Sequence, residues 1–152
     1  MTVAIRIQAG DFDVAAETAA LTQDRADIGA VVAFTGLCRD EGGRLAALEL
    51  EHYPNMAEAE VARVVEEARR RWPLAGVTVI HRHGTIAPGQ NIVLVLTAST
   101  HRQAAFEAAA FLMDFLKTRA PFWKREHLKD GSTGGWVEAK DADDDAAARW
   151  NS

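Results

Sequence analysis

The sequence predicts an α+β fold built on a mainly antiparallel sheet. Two observations carry this: alternating or continuously apolar runs that read as strands, and helix-period segments between them. Their order is β-α-β-β-α-β, then a further β-α and a tail, similar to a split βαβ pattern. A chain of 152 residues suits one domain, 1–152, and shows no internal repeat or linker.

TVAIRIQ (2–8) alternates apolar and polar residues, as a half-buried strand does, and DVAAETAALTQ follows as a short helix. GAVVAFTGLC (29–38) is a continuous apolar run, the pattern of a central strand, and RDEGGR after it reads as a turn or loop. LAALELEHY (45–53) alternates again, with Leu48, Leu50 and His52 on one face and Glu49 and Glu51 on the other. Asn55 with Glu58 resembles a capping box, and Val61, Val64, Val65, Ala68 and Trp72 continue at helical spacing until Pro73. GVTVIHRHG (76–84) and NIVLVLTAS (91–99) are strands joined through APGQ. Thr100 with Gln103 marks the start of a long helix, about 101 to 119. Its apolar residues cover more than one stripe, so it is expected to be buried by a sheet and by a second subunit. HLKDGSTGG (127–135) reads as a mobile loop, GWVEAK as a short extended piece and DADDDAAARW as a terminal helix.

Composition excludes several classes of function. The chain is 48% hydrophobic and 26% charged, as soluble globular proteins are. A net charge of -5 argues against general nucleic-acid or membrane-surface binding, so any anion site must be local. Cys38 is the one cysteine, which leaves no internal disulfide and no cysteine-rich zinc site. The N-terminus lacks the apolar core of a signal peptide, and no run approaches the length of a membrane span. A soluble cytoplasmic protein is expected.

Against that acidic background, LKTRAPFWKRE (116–126) gathers Lys117, Arg119, Lys124 and Arg125 around Pro121, Phe122 and Trp123. A lysine crowded by cations or desolvated by aromatic walls can act as nucleophile or general acid/base near neutral pH. Equally, Lys117 and Arg119 could complement a helix C-terminus, with the aromatics as a core plug. His101 and Arg102 stand at the start of the same helix, where unpaired N–H groups and the helix dipole favour an anion. They too could be exposed first-turn residues. Sixteen residues separate His101 from Lys117, about 24 Å along a straight helix. A small ligand cannot bridge both within one chain, so a shared site requires two subunits, as in a two-fold dimer. Arg39 follows a strand, where sheets deliver side chains to sites, and Cys38 beside it has the pattern of a buried, inert thiol. His81 and His83 share a strand face as half a metal site, but no third ligand has a place. Glu49, Glu51 and Glu58 read as solvated acids.

The stretch THRQAAFEAAAFLMDFLKTRAPFWKRE closely resembles the large, catalytic subunit of molybdopterin synthase. AVVAFTGLCRD, LELEHYPNMAEAE, RRRWPLAGVTVIHRHG and GWVEA extend the resemblance over roughly residues 29 to 140, and the K-x-R-A-P-x-W-K-x-E run makes it specific. The resemblance implies an α/β hammerhead-type fold with a mainly antiparallel sheet plus an additional small antiparallel sheet. It also implies sulfur transfer in molybdenum-cofactor biosynthesis, from the C-terminal Gly-Gly thiocarboxylate of a small ubiquitin-like carrier to cyclic pyranopterin monophosphate (precursor Z), giving the molybdopterin dithiolene. The implied assembly is a heterotetramer, a homodimer core with one small subunit at each end, and no metal or redox cofactor is implied.

By position, Lys117 and Lys124 match the family's catalytic lysines. Arg39, with Leu37 and Cys38 before it, matches the strand end at the substrate pocket. His101 and Arg102 match a pair supplied to that pocket by the neighbouring subunit, and Arg125 and Glu126 match substrate-contacting positions. Leu37 and Cys38 depart from the family pattern, so contacts there would be through the backbone. Lys140 stands where arginine is frequent, which weakens a bidentate phosphate contact. Two other readings share these residues: an adaptor for a ubiquitin-like protein without catalysis, and another phosphate-ester-binding enzyme.

Overall fold

The computed structural model describes residues 1–119, 122–137, 148, 150 and 151. Its elements are β1 (Thr2–Gln8), α1 (Val14–Thr22), β2 (Ala30–Leu37), β3 (Leu45–His52), α2 (Met56–Arg71), β4 (Leu74–Arg82), β5 (Gly84–Ile86), β6 (Asn91–Ser99), α3 (Arg102–Arg119) and β7 (Phe122–Leu128). They form a four-stranded sheet in the order β1-β4-β6-β2 and a three-stranded sheet in the order β5-β3-β7. β1 and β4 run parallel, and every other pairing in these two sheets is antiparallel. The α+β, mainly antiparallel expectation therefore holds, second sheet included.

Period-two alternation explains the layers. In β4 and β6, Val77, Val79, Val93 and Val95 face one side and pack against Val61, Val64, Val65 and Ala68 of α2 and Phe111, Leu112, Phe115 and Leu116 of α3. Ile80, Leu94, Leu96 and Ala98 face the other side, under Phe12 and Leu21 around α1. Strands covered on both faces must be apolar throughout, which is why these two runs lack the alternation of β1 and β3. Trp72 closes the α2–α3 layer, its indole N–H donating to Glu107 at 2.7 Å and its ring meeting Phe111 edge-on at 5.3 Å. No helix among the described residues is long and apolar enough to cross a membrane.

Several expectations are corrected. β2 lies at the edge of its sheet, with its residues only half-buried or exposed, so its apolar run does not mark a central strand. The chain after β4 turns at Gly84 (φ +92°) and adds the short β5 to the second sheet, so the link from β4 to β6 is longer than a tight turn. Asn55 makes no side-chain cap bond and sits at φ 70°, so it turns the chain into α2 by its conformation. The Thr100 hydroxyl donates to the Asp27 carbonyl at 3.3 Å and the Gln103 amide to Glu107 at 3.2 Å, in place of the expected box. α3 starts at Arg102, with His101 just before it. Residues 122–126, to which the sequence assigns no element, and 127–128, expected in a loop, are strand β7. The rest of 127–135 folds back on β7, with Leu128 N–H donating to the Ser132 carbonyl at 2.9 Å and Gly134 N–H to the Glu126 carbonyl at 2.9 Å. The terminal helix expected over 141–150 falls largely outside the described residues.

Gly29 joins the start of β2 to the start of α3. Its N–H donates to the Ser99 carbonyl at 3.0 Å, and a methyl group on it would overlap the Thr100 carbonyl oxygen. Gly29→Ala should therefore cost about 1–3 kcal/mol in urea unfolding, the usual cost of forced overpacking. An unchanged midpoint would show that this junction has slack.

Candidate active site

β7 pairs with β3 so that Phe122 lies opposite His52, Lys124 opposite Leu50 and Glu126 opposite Leu48. Side chains alternate along a strand, so Phe122, Lys124 and Glu126 share one face while Trp123, Arg125 and His127 share the other. Leu50 on the first face is buried with Cys38, Leu45 and Ile86, at the joint between the end of β2 and the second sheet. The other edge of β7 is held at Lys124 itself, whose N–H and carbonyl pair with Val137 at 3.1 and 2.7 Å.

Two contacts show what this inner face meets. At its start, Phe122 stacks on His81 with ring centroids 3.8 Å apart and a 14° tilt, and lies 6.0 Å from His52, itself 4.6 Å from His83. Burial holds the His81 pKa down to about 4, helped by the nearby charge of Lys117 in the last turn of α3. At 2.7 Å, His81 Nδ1 is placed to donate to the Arg82 carbonyl, as a neutral ring can. His81 thus brings no positive charge to Lys117. At the far end, burial raises the pKa of the Cys38 thiol, and the negative charges of Asp40 and Glu126 add to the effect. That is the reverse of an activated thiolate, so Cys38 is packing, with the exposed Arg39 directly after it. The inner face of β7 therefore runs from the neighbourhood of Lys117, past Lys124, to that of Cys38 and Arg39.

The outer face is a separate arrangement. Arg125 Nε donates to Glu49 Oε1 at 2.9 Å, and His127 Nε2 lies 2.8 Å from the same oxygen. These two partners, His127 first, hold the Glu49 carboxyl below its ordinary pKa. Glu49 is thus a hub between two strands and not a solvated acid. Arg125 also lies over the Trp136 ring at 4.4 Å, so it points away from Lys124 and Glu126. Next to it is an aromatic recess of about 340 Å³ lined by Glu51, His52, Tyr53, Trp123 and Trp136.

The expected residues therefore divide. Lys124 and Glu126 share the inner face of β7, Cys38 lies near Glu126 with Arg39 directly after it and Leu37 exposed before it, and Lys117 lies near His81, while Arg125 faces outward. His101 and Arg102, both exposed, stay at the opposite end of α3. Lys140 lies outside the described residues. His81 is stacked on Phe122, and no group of three metal-ligating side chains occurs among the described residues. The stack of His52, His81 and Phe122 and the Glu49 hub escaped the sequence reading, because each needs the β3–β7 register.

Such an arrangement defines a class: an α+β protein with lysine, arginine and histidine side chains gathered about a small second sheet on an otherwise acidic chain. Comparison with known proteins makes this specific. A family model described as MoaE protein matches residues 7–119. The molybdopterin synthase catalytic subunit of Mesorhizobium japonicum is 73% identical over 97% of this chain and 93% of its own length. A molybdopterin biosynthesis MoaE protein from Burkholderia ambifaria superposes with a TM-score of 0.85 at 46% identity, covering 100% of this chain and 99% of that one. The crystal structure of molybdopterin synthase from Staphylococcus aureus gives 0.75 at 30% identity, covering 85% and 95%. The chain belongs to the MoaE family, that of the molybdopterin synthase catalytic subunits.

The depressed His81 pKa has a stability consequence. Between pH 6.5 and about 4 the unfolded chain binds a proton on this residue that the folded chain refuses, so stability falls as pH drops through that window and levels off below it. The ring keeps a solvent-touched edge, so the loss should be about 2 kcal/mol, short of the full shift. His81→Phe, which preserves the stack on Phe122, should remove this part of the slope in urea unfolding at stepped pH. An unaltered slope would refute the assignment.

Proposed function

We propose that the chain transfers sulfur from the C-terminal thiocarboxylate of a small ubiquitin-like carrier to cyclic pyranopterin monophosphate, forming the molybdopterin dithiolene. The observation that supports this reading is the docking of β7 on β3, which puts Lys124 on the same strand face as Phe122, whose ring stacks on His81 near Lys117. Arg39 binds the substrate's cyclic phosphate together with His101 and Arg102 of a second copy, since α3 keeps those two residues about 24 Å from Lys117 within one chain. The carrier's tail enters between the lysines. Lys124 and Lys117 polarise the thiocarboxylate and the attacked carbon and pass protons as each C–S bond to the substrate forms and water cleaves the carrier's acyl C–S bond, which leaves the carrier with a C-terminal carboxylate. Glu126, on the Lys124 face, orients those ammonium groups or the substrate. Arg125 contributes through Glu49 and Trp136 by fixing the strand.

Sulfur leaves the carrier at the oxidation level at which it enters the product, so we propose no resident metal or redox cofactor. The assembly proposed is a homodimer core with one carrier on each copy, working in the cytoplasm.

Reconstitution with a thiocarboxylated carrier and precursor Z tests this directly. Lys117→Ala and Lys124→Ala should each lower molybdopterin formation about a hundredfold or more, with carrier binding retained. Near-wild-type product from both variants would reduce the chain to an adaptor.

A further inference from the structure

The aromatic recess on the outer face of the second sheet has no part in the sulfur transfer proposed above. Its volume of about 340 Å³, lined by Glu51, His52, Tyr53, Trp123 and Trp136, is at the small end of ligand pockets, which run from about 300 to 1,000 Å³. Tyr53 and Trp123 meet edge to face, with ring centroids 4.6 Å apart and planes at 83°. Two rings so arranged form a corner. A flat heterocycle needs parallel walls to stack between, whereas a compact group fits a corner and touches both rings. Tyr53 and Trp136 are 56% and 43% exposed, so among the described residues the recess is open to solvent.

Charge decides which compact group belongs there. In the β3–β7 register Glu51 lies opposite Trp123, next along the same face to the Glu49–Arg125 pair. Glu49 is engaged by Arg125 and His127, but no described side chain pairs with Glu51 as an ion. The charge of Glu51 does act on His83, whose pKa burial and then His52 hold below its ordinary value. His83 is therefore neutral at neutral pH and leaves the Glu51 charge in place. Aromatic faces attract cations, and Trp136 already holds one, with the Arg125 guanidinium 4.4 Å over its ring. A carboxylate among aromatic walls, on a chain of net charge -5, repels phosphates.

We infer that the recess binds a compact organic ammonium ion, which rests on the Tyr53, Trp123 and Trp136 rings and pairs with Glu51. The ion is a free small-molecule amine or the head of a lysine side chain, since both present the same chemistry. Trp123 directly precedes Lys124, and Trp136 directly precedes Val137, the backbone partner of Lys124. The site thus lies behind that lysine, on the opposite face of β7, with the opposite charge preference. Its existence does not depend on the proposed activity.

An NMR titration of the full chain, read on the four tryptophan indole N–H signals, tests this. Choline should shift Trp123 and Trp136 along one binding curve. Trp72 and Trp150, packed on Phe111 in the helical layer, should stay in place. At matched ionic strength the uncharged analogue 3,3-dimethylbutan-1-ol, which has the same shape, should bind about tenfold more weakly. This comparison uses the wild type, so it stands even if a variant fails to fold. Glu51→Gln should weaken choline binding about threefold. Nα-acetyl-lysine methylamide distinguishes the sources: tighter binding than choline assigns the site to a protein side chain, and weaker binding to a free amine. The inference is overturned by equal binding of choline and the alcohol, or by choline affinity unchanged in Glu51→Gln. Silence of Trp123 and Trp136 up to about 50 mM choline, well above a millimolar dissociation constant, overturns it too.

Discussion

The pairing of β7 with β3 is the constraint on which the site depends. A strand puts neighbouring residues on opposite faces, so one register decides the fate of every residue from Phe122 to His127. In the observed register Lys124 and Glu126 turn inward, and Phe122 closes on His81 beside Lys117. Arg125 and His127 turn outward onto Glu49, whose carboxylate clamps β7 to β3 from the other side. A slip by one residue would exchange the two sets and bury Arg125 where Lys124 belongs. The clamp and the lysine pocket are thus two faces of one register choice.

The proposed anion site must be built locally on an acidic chain. A net charge of -5 gives no general attraction for phosphate, so the cations must be concentrated locally. Arg125 is neutralised by Glu49, and a neutral His81 adds no charge next to Lys117. Lys124 lies on the inner face of β7 and Arg39 just past the end of β2, while His101 and Arg102 lie near the other end of β2. The geometry favours delivery of that pair by a second copy over any bending of one chain.

Much of the fold was legible in the sequence because β1, β3 and α2 carry the period of their element, while β4, β6 and α3 are apolar runs of strand or helix length that are buried on more than one side. β7 was not legible: FWKREHL has charged and aromatic residues on both faces, since one face stacks Phe122 on His81 and the other carries a salt bridge beside an aromatic recess. β2 was legible as a strand but not as an edge, because edge position is a property of pairing. Lys117, Lys124, Arg39, His101 and Arg102 could be picked out from their chemistry and their resemblance to a family. The supporting histidines and Glu49 could not, as they acquire meaning only from residues more than twenty positions away. Cys38 was read as an inert thiol, and its buried, charge-opposed environment agrees.

The central claim is that the lysine pocket and the His101–Arg102 pair form one binding site. The most direct measurement is an NMR titration of the assembled protein with precursor Z, following the lysine ammonium signals of Lys117 and Lys124 together with the backbone amides of Arg39, His101 and Arg102. The account predicts that all five shift along one binding curve with a single dissociation constant. Shifts confined to the lysine end, or two clusters titrating with different affinities, would contradict it.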